Sequence, residues 1–137
     1  MENRASGTPA SLKELPVGHE FPSITYELTQ ATIAKYLDAV GESQDFVSSG
    51  IVPPLAIAAC AIAALSKSFA VPPGTIHAAQ ELEFLKIIPL GSKINCGGKI
   101  ASKLQRGRLN LISIEINAVN MEKEKVLSGK ATIAVPD

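Results

Sequence analysis

The chain has 137 residues, enough for one core and too few for two, and its 13 basic and 13 acidic side chains cancel to a formal charge of zero. A balanced charge offers no basic field to hold a nucleic-acid backbone or an anionic membrane, so neither is an expected partner. Apolar residues make up 46% of the chain but aromatics only 4%, with no Trp, so Ala, Ile, Leu and Val must carry the core.

Residues 1–14 mix Glu2, Arg4, Ser6, Thr8 and Pro9 without an apolar run, which reads as a flexible leader rather than a signal peptide or anchor. Residues 15–137 read as a single domain. Cys60 lies in an apolar run and Cys96 in a strand-like stretch. Two cysteines are too few for a disulfide framework or a zinc site, so no metal is expected and a reduced, cytoplasmic setting is.

The first element is a short strand over residues 19–28, with apolar positions at Phe21, Ile24, Tyr26 and Leu28. Thr29 can cap a following helix, in which Ile33, Tyr36, Leu37 and Val40 recur at helical spacing before Gly41 stops it. Residues 41–50 are rich in Gly and Ser and read as a loop. Pro53 and Pro54 suit the first turn of a second helix over residues 55–69, which carries no charge until Lys67. An apolar pattern on every side predicts a helix enclosed by other structure. It is shorter than the roughly 20 residues a membrane helix needs.

After Gly74 the pattern changes to period two. Ile76, Ala78, Leu82 and Phe84 share one predicted face; Ile94, Cys96, Ile100 and Leu104 another; then Ile112, Ile114, Ile116 and Ala118; then Leu127, Ala131, Ile133 and Val135. His77 falls on the face opposite Ile76 and Leu82. The connections at residues 89–92, 105–108 and 120–125 are short enough for antiparallel neighbours, and the last three strands form a meander. Such a sheet must bury one face, and the apolar helix is the only element able to fill its concave side. The expectation is an α+β hotdog fold, an antiparallel sheet wrapped around a long central helix. Its open edges predict a dimer.

The segment Pro73-Gly74-Thr75-Ile76-His77-Ala78-Ala79-Gln80-Glu81-Leu82-Glu83-Phe84-Leu85-Lys86, followed by Ile88-Pro89-Leu90-Gly91-Ser92, resembles the strand and turn that follow the central helix in MaoC-like, (R)-specific enoyl-CoA hydratases. With Val17-Gly18-His19-Glu20-Phe21 and the small helix, the resemblance covers nearly the whole chain beyond the leader. It implies handling of enoyl or acyl thioesters carried on coenzyme A or acyl carrier protein, with no other cofactor. Family enzymes hydrate the double bond with an Asp and a His from the loop after the small helix. A backbone N–H at the start of the central helix polarises the thioester carbonyl.

The resemblance places Glu42 at the Asp position, Gln44 at the usual Asn and Val47 at the His. Glu42 is then the candidate acid or base and Gln44 the residue that orients water, with Asp45 a further loop acid. Valine cannot move a proton, and loss of that function typically removes about 10²–10⁴ in rate. Val52-Pro53-Pro54-Leu55 stands where the family has Val-His-Gly-Met, and proline has no N–H to donate. Losing one such donor costs roughly 10²–10³. Val47, Pro53, Pro54, Leu55 and Gln80 are the implied substrate contacts.

These two departures point to a non-catalytic or accessory subunit of a hydratase or dehydratase, working as a homodimer or as a heterodimer with a catalytic MaoC-like chain. The rival is an active (R)-specific hydratase or 3-hydroxyacyl dehydratase that relies on Glu42. A thioesterase ranks below both, because residues 55–66 hold no carboxylate. Cys60 reads as a small buried hydrophobe rather than a nucleophile. Gly97 and Gly98 mark a bulge or a close backbone contact, and Lys99, Lys103, Arg106 and Arg108 a modest cationic cluster on a strand face.

Overall fold

The computed structural model describes residues 9–42 and 48–137. Chain order runs from a 3-10 turn at Leu12–Glu14 through β1 (Glu20–Glu27), α1 (Gln30–Val40), α2 (Pro54–Ser66), β2 (Ile76–Phe84), β3 (Lys93–Arg106) and β4 (Leu109–Val119) to β5 (Lys125–Pro136). The five strands form one antiparallel sheet in the order β1-β3-β4-β5-β2. α2 packs on β1, β3 and β4.

Both ends of α1 follow the local chemistry read from the sequence. The Thr29 hydroxyl accepts the Thr32 N–H at 3.1 Å, satisfying one of the orphan donors of the first turn. Gly41 adopts φ 76° in the left-handed region, and the Gly41 and Glu42 N–H groups return to the carbonyls of Asp38 and Leu37. That is the Schellman closure, which favours glycine because it has no Cβ to clash.

α2 ends at Ser66 instead of residue 69. The Ser66 and Ser68 hydroxyls donate to the carbonyls of Ile62 and Ala64, and the chain then turns away so that Phe69 packs on Phe21 with ring centroids 5.6 Å apart. Nor is the helix enclosed on every side. Ala56, Ile57, Ala58, Ala61, Ala64 and Leu65 are buried against the sheet, but Leu55 is 61% exposed, Ala59 is exposed, and Ile62 and Ala63 are half-buried. Among the described residues, nothing fully covers this apolar stripe of the helix.

The sheet departs from a simple reading in two places. β2 does not sit beside β3; it pairs with β5 at the far edge, while β3 takes β1 as its outer neighbour. The connection over residues 85–92 is therefore a crossover. It is pinned across the start of α2 by the Val52 N–H to the Ile88 carbonyl (2.7 Å), Leu90 N–H to Gly50 (2.9 Å) and Gly91 N–H to Leu28 (2.8 Å).

Bulges also reverse two of the expected faces. His77 and Ala79 pair with the consecutive residues Ile133 and Thr132, leaving Ala78 as an extra residue. Paired residues share a face, so His77, Gln80, Leu82 and Phe84 point to the helix side with Ile133 and Ala131, and Ile76 points away. His77 is thus on the same face as Leu82, not opposite it. In β3, Ala101 is extra between Ile100↔Ile114 and Ser102↔Ser113, which turns Leu104 away from the core and Lys103 to the helix side of the sheet, where it is half-buried. Leu104 is 50% exposed.

Lys103 then explains a further correction, because residues 10–14 are not a loose end of the leader. Its ammonium donates to the carbonyls of Lys13 (2.7 Å) and Leu15 (2.9 Å). Leu12 is fully buried, and residues 10–12 exchange backbone hydrogen bonds with Ala70. Residues 1–8 lie outside the described part of the chain.

The core is a single aliphatic cluster of Ile33, Leu37, Ile57, Ile94, Ile100, Ile112, Ile114, Ile116 and their neighbours. Ile116 sits between two glycines, paired with Gly98 on β3 and Gly129 on β5. A side chain at either glycine would run into the backbone of the next strand. Their absence lets the sheet coil tightly at the row where it bends over α2.

Candidate functional site

Glu42 follows the αL glycine that closes α1 and is exposed, its position fixed by its own N–H to Leu37. Gln44, Asp45 and Val47 lie outside the described residues. Ile51 bridges to Pro89 through its backbone, and α2 starts with Pro53 as N-cap and Pro54 in the first helical position. Pro53 is buried and Pro54 exposed. The Ala56 N–H is used internally, donating to the Pro53 carbonyl at 2.9 Å. With two prolines in sequence, the first N–H this helix end offers is that of Leu55.

Beside that helix start is an apolar groove of about 210 Å³, lined by Ile51, Val52, Pro54 and Ile57 on one wall and by Phe84, Leu85, Lys86 and Ile87 on the other. Ile87 is 76% exposed, and Phe84 and Leu85 are also open to solvent. The second wall was missed in the sequence, where it reads as strand end and turn. Its signal is the break of alternation at Phe84-Leu85-Lys86-Ile87-Ile88, where apolar residues stand next to each other. Among the described lining residues Lys86 supplies the one charge of the rim, and it is paired with Glu124 at 3.3 Å. Hydrogen bonding from Asn120, then from Lys86, holds the Glu124 carboxyl below the usual carboxylate range.

Of the other candidates, Gln80 is not brought to this groove within the chain. Its amide nitrogen donates to the carbonyls of Glu81 (3.0 Å) and Lys130 (3.1 Å), and its oxygen lies 2.9 Å from His77 Nε2. Four residues of strand, about 13 Å, separate it from Phe84.

A cavity of about 10 Å³ lies between Ala61, Ala64 and Leu65 on the helix and Phe21, Cys96 and Gly98 on the sheet, room for a single water and no acyl chain. Burial pushes the Cys60 thiol up, with Lys67 opposing, and pushes Cys96 up to about 12. Both thiols are therefore held protonated and poorly nucleophilic. Tyr26 is raised by the burial of its hydroxyl, and the two thiols add to the effect. In the cationic cluster, Lys99 pairs with Glu115 at 3.8 Å and Lys103 anchors the chain before β1, so two of its four charges have structural partners. Among the described residues, no three His, Cys, Asp or Glu side chains are grouped to hold a metal ion, and no helix is long and apolar enough to cross a membrane.

No family model and no curated protein matches the chain. Solved structures do. The unliganded (R)-hydratase PhaJ1 from Pseudomonas aeruginosa superposes with a TM-score of 0.76 at 19% identity, covering 94% of this chain and 87% of the other. The MaoC-like dehydratase from Rhodospirillum rubrum gives 0.71 at 16% identity, over 92% and 96%. A chain of the HadBC (3R-hydroxyacyl-ACP dehydratase) complex from Mycobacterium tuberculosis gives 0.71 at 17%, over 90% and 99%. These likenesses span nearly the full length of each partner, and they fix the architecture: the chain is an α+β hotdog-fold protein of the form that (R)-hydratases and MaoC-like dehydratases share.

Proposed function

We propose that this chain is a MaoC-like hotdog subunit that binds acyl or enoyl thioesters of coenzyme A or acyl carrier protein, as an accessory to a hydratase or dehydratase rather than as its catalytic chain. The observation that carries this reading is the Pro53-Pro54 start of α2 at the wall of the apolar groove. A thioester carbonyl laid there meets a helix end stripped of its first two amide donors, so the developing enolate gains little stabilisation. Val47 supports the same reading, since it puts a side chain without a proton where the resemblance calls for histidine.

The test is to purify the chain alone and together with a catalytic MaoC-like chain from the same source and assay crotonyl-CoA hydration in both. Activity only in the mixture, with acyl-CoA binding by the chain alone, is expected. Hydration by the single chain at a rate typical of enzymes would overturn the proposal. Glu42 carries the rival reading, because it keeps a carboxylate on a rigid turn. If that reading holds, Glu42→Gln abolishes turnover and leaves acyl-CoA binding intact.

A further inference from the structure

The face of the sheet turned away from α2 is ordered row by row. Glu20 on β1 stands opposite Lys99 on β3, Lys99 opposite Glu115 on β4, Glu115 opposite Lys130 on β5, and Lys130 opposite Glu81 on β2. One exposed row thus crosses the five strands with the sign of charge changing at every step. Lys99 and Glu115 approach to 3.8 Å, and Lys130 and Glu81 to 3.7 Å. About four residues further along the strands, roughly 13 Å, a second row is apolar: Leu104, Leu111, Ala134 and Ile76. The bulges at Ala78 and Ala101 fall between the two rows, and Ile76 and Leu104 come to the outer face 58% and 50% exposed. Between the rows stand small side chains, Ser102, Ser113, Thr132 and Ala79.

This surface is complementary to itself about one axis. A two-fold axis running along the strands between β4 and β5 lays β4 on the partner's β5 and β3 on the partner's β2. Glu115 then faces the partner's Lys130, and Lys99 faces the partner's Glu81. The same operation sets Leu104 on the partner's Ile76, Leu111 on the partner's Ala134 and Ser113 on the partner's Thr132.

Other axes fail. Along β4, Glu115 would face the partner's Glu115 and Lys99 the partner's Lys130; along β5, Glu115 would face the partner's Glu81. Like charges set face to face are strongly disfavoured. An axis between β3 and β4 matches charges again but carries Ile76 past the partner's β1. The charged row and the apolar row therefore select the same axis independently. Sheets pack face to face about 10 Å apart with strands within roughly 30°, a gap that Lys and Glu side chains bridge from both sides. A hollow of about 330 Å³ beside Glu115, Asn117, Ser128 and Lys130 gives them room to interdigitate.

We propose that two copies of the chain associate back to back through this outer face, with the alternating row fixing their register. In the single chain these ion pairs are exposed and contribute little. A facing copy withdraws them from water together with the apolar row, where both gain strength. The groove at the start of α2 lies on the opposite side of the sheet, so both grooves stay open and the pair is bivalent.

The test places a pyrene maleimide on Ser113→Cys, beside the axis, in a Cys60→Ala chain whose remaining thiol is buried. Facing copies should give excimer emission. The labelled chain is then refolded with about a threefold excess of unlabelled competitor. Wild type should lower the excimer about fourfold by random pairing. A chain carrying Glu81→Lys, Lys99→Glu, Glu115→Lys and Lys130→Glu, which keeps both the alternation within the chain and the net charge, should leave it unchanged. Given its own pyrene, that reversed chain should show the wild-type excimer, which establishes that it folds and pairs with itself. Absence of the excimer in either labelled chain overturns the inference. So does competition by both unlabelled chains alike, or by neither.

Discussion

Gly98 lies against Glu115 with room for no more than a hydrogen: a Cβ there would stand 2.6 Å from the Glu115 carbonyl oxygen and 3.6 Å from Ile116 Cγ2. Its counterpart Gly129 meets the Glu81 carbonyl and the Leu82 side chain in the same way. Backbone oxygens do not give way as side chains do. Gly98→Ala and Gly129→Ala should each cost about 1–3 kcal/mol in urea unfolding, the usual price of overpacking. Gly97→Ala, which meets Ser23 Cβ at 3.7 Å and Asn117 Oδ1 at 4.0 Å in ordinary contact, should stay within about 1 kcal/mol of wild type.

Pro54→Ala returns an N–H to the start of α2 at an exposed position. Greater freedom of the unfolded chain should lower stability by about 0.4–1 kcal/mol. The new donor at the groove wall should tighten crotonyl-CoA binding several-fold by calorimetry, and unchanged affinity would mean that the carbonyl does not lie at this helix end.

Alkaline stability should carry the mark of Cys96. Burial raises its thiol from an ordinary value of 9.0 to about 12. Below pH 9 both folded and unfolded forms hold the proton and stability is complete. Between pH 9 and 12 only the unfolded chain releases it, so stability falls as pH rises, by about 1.4 kcal/mol per unit from this group. Cys96→Ala should flatten the pH dependence of unfolding free energy by that slope while lowering its plateau through the small cavity left behind.

Lys103→Ala should release the segment before β1. Two carbonyls lose a charged donor at a half-buried position, worth about 1 kcal/mol after allowance for solvent. The selective readout is amide exchange: protection of Leu12 should fall while that of β4 is unchanged.

Tyr26 buries its hydroxyl without a hydrogen-bond partner among the described residues. Tyr26→Phe should therefore raise stability by about 1 kcal/mol in thermal unfolding, and a loss would reveal a bridging water.

What could be read from the chain was whatever is encoded within a few residues. Thr29 and Gly41 bracket α1 because capping and left-handed closure are local chemistry. The aliphatic faces of β4 and β5 were legible because those strands hold their phase from Ile112 to Ala118 and from Leu127 to Val135. Phase was lost where β2 and β3 bulge, at Ala78 and Ala101, since alanine carries no mark of an extra residue. The place of β2 beside β5 was hidden for another reason: pairing across some 50 residues is settled by the whole sheet, and a connection with Pro89 in it can be a turn or a crossover. At the site, Pro53 and Pro54 announced the loss of donors, whereas the wall from Phe84 to Ile87 emerged only once the crossover brought it against α2.

The single extra residue in β2 also sets what mutation can reach. A substitution at Ala78 alters one exposed side chain, and deleting it removes the bulge. His77 opposite Ile133 and Ala79 opposite Thr132 would then be successive rungs of a regular ladder, each still on its own face of the sheet, and only the local twist of the bulge would be lost. A deletion elsewhere in β2 would instead carry the residues on one side of it to the opposite face, so Ala78 is the position of this strand at which sequences descended from it should tolerate a gap.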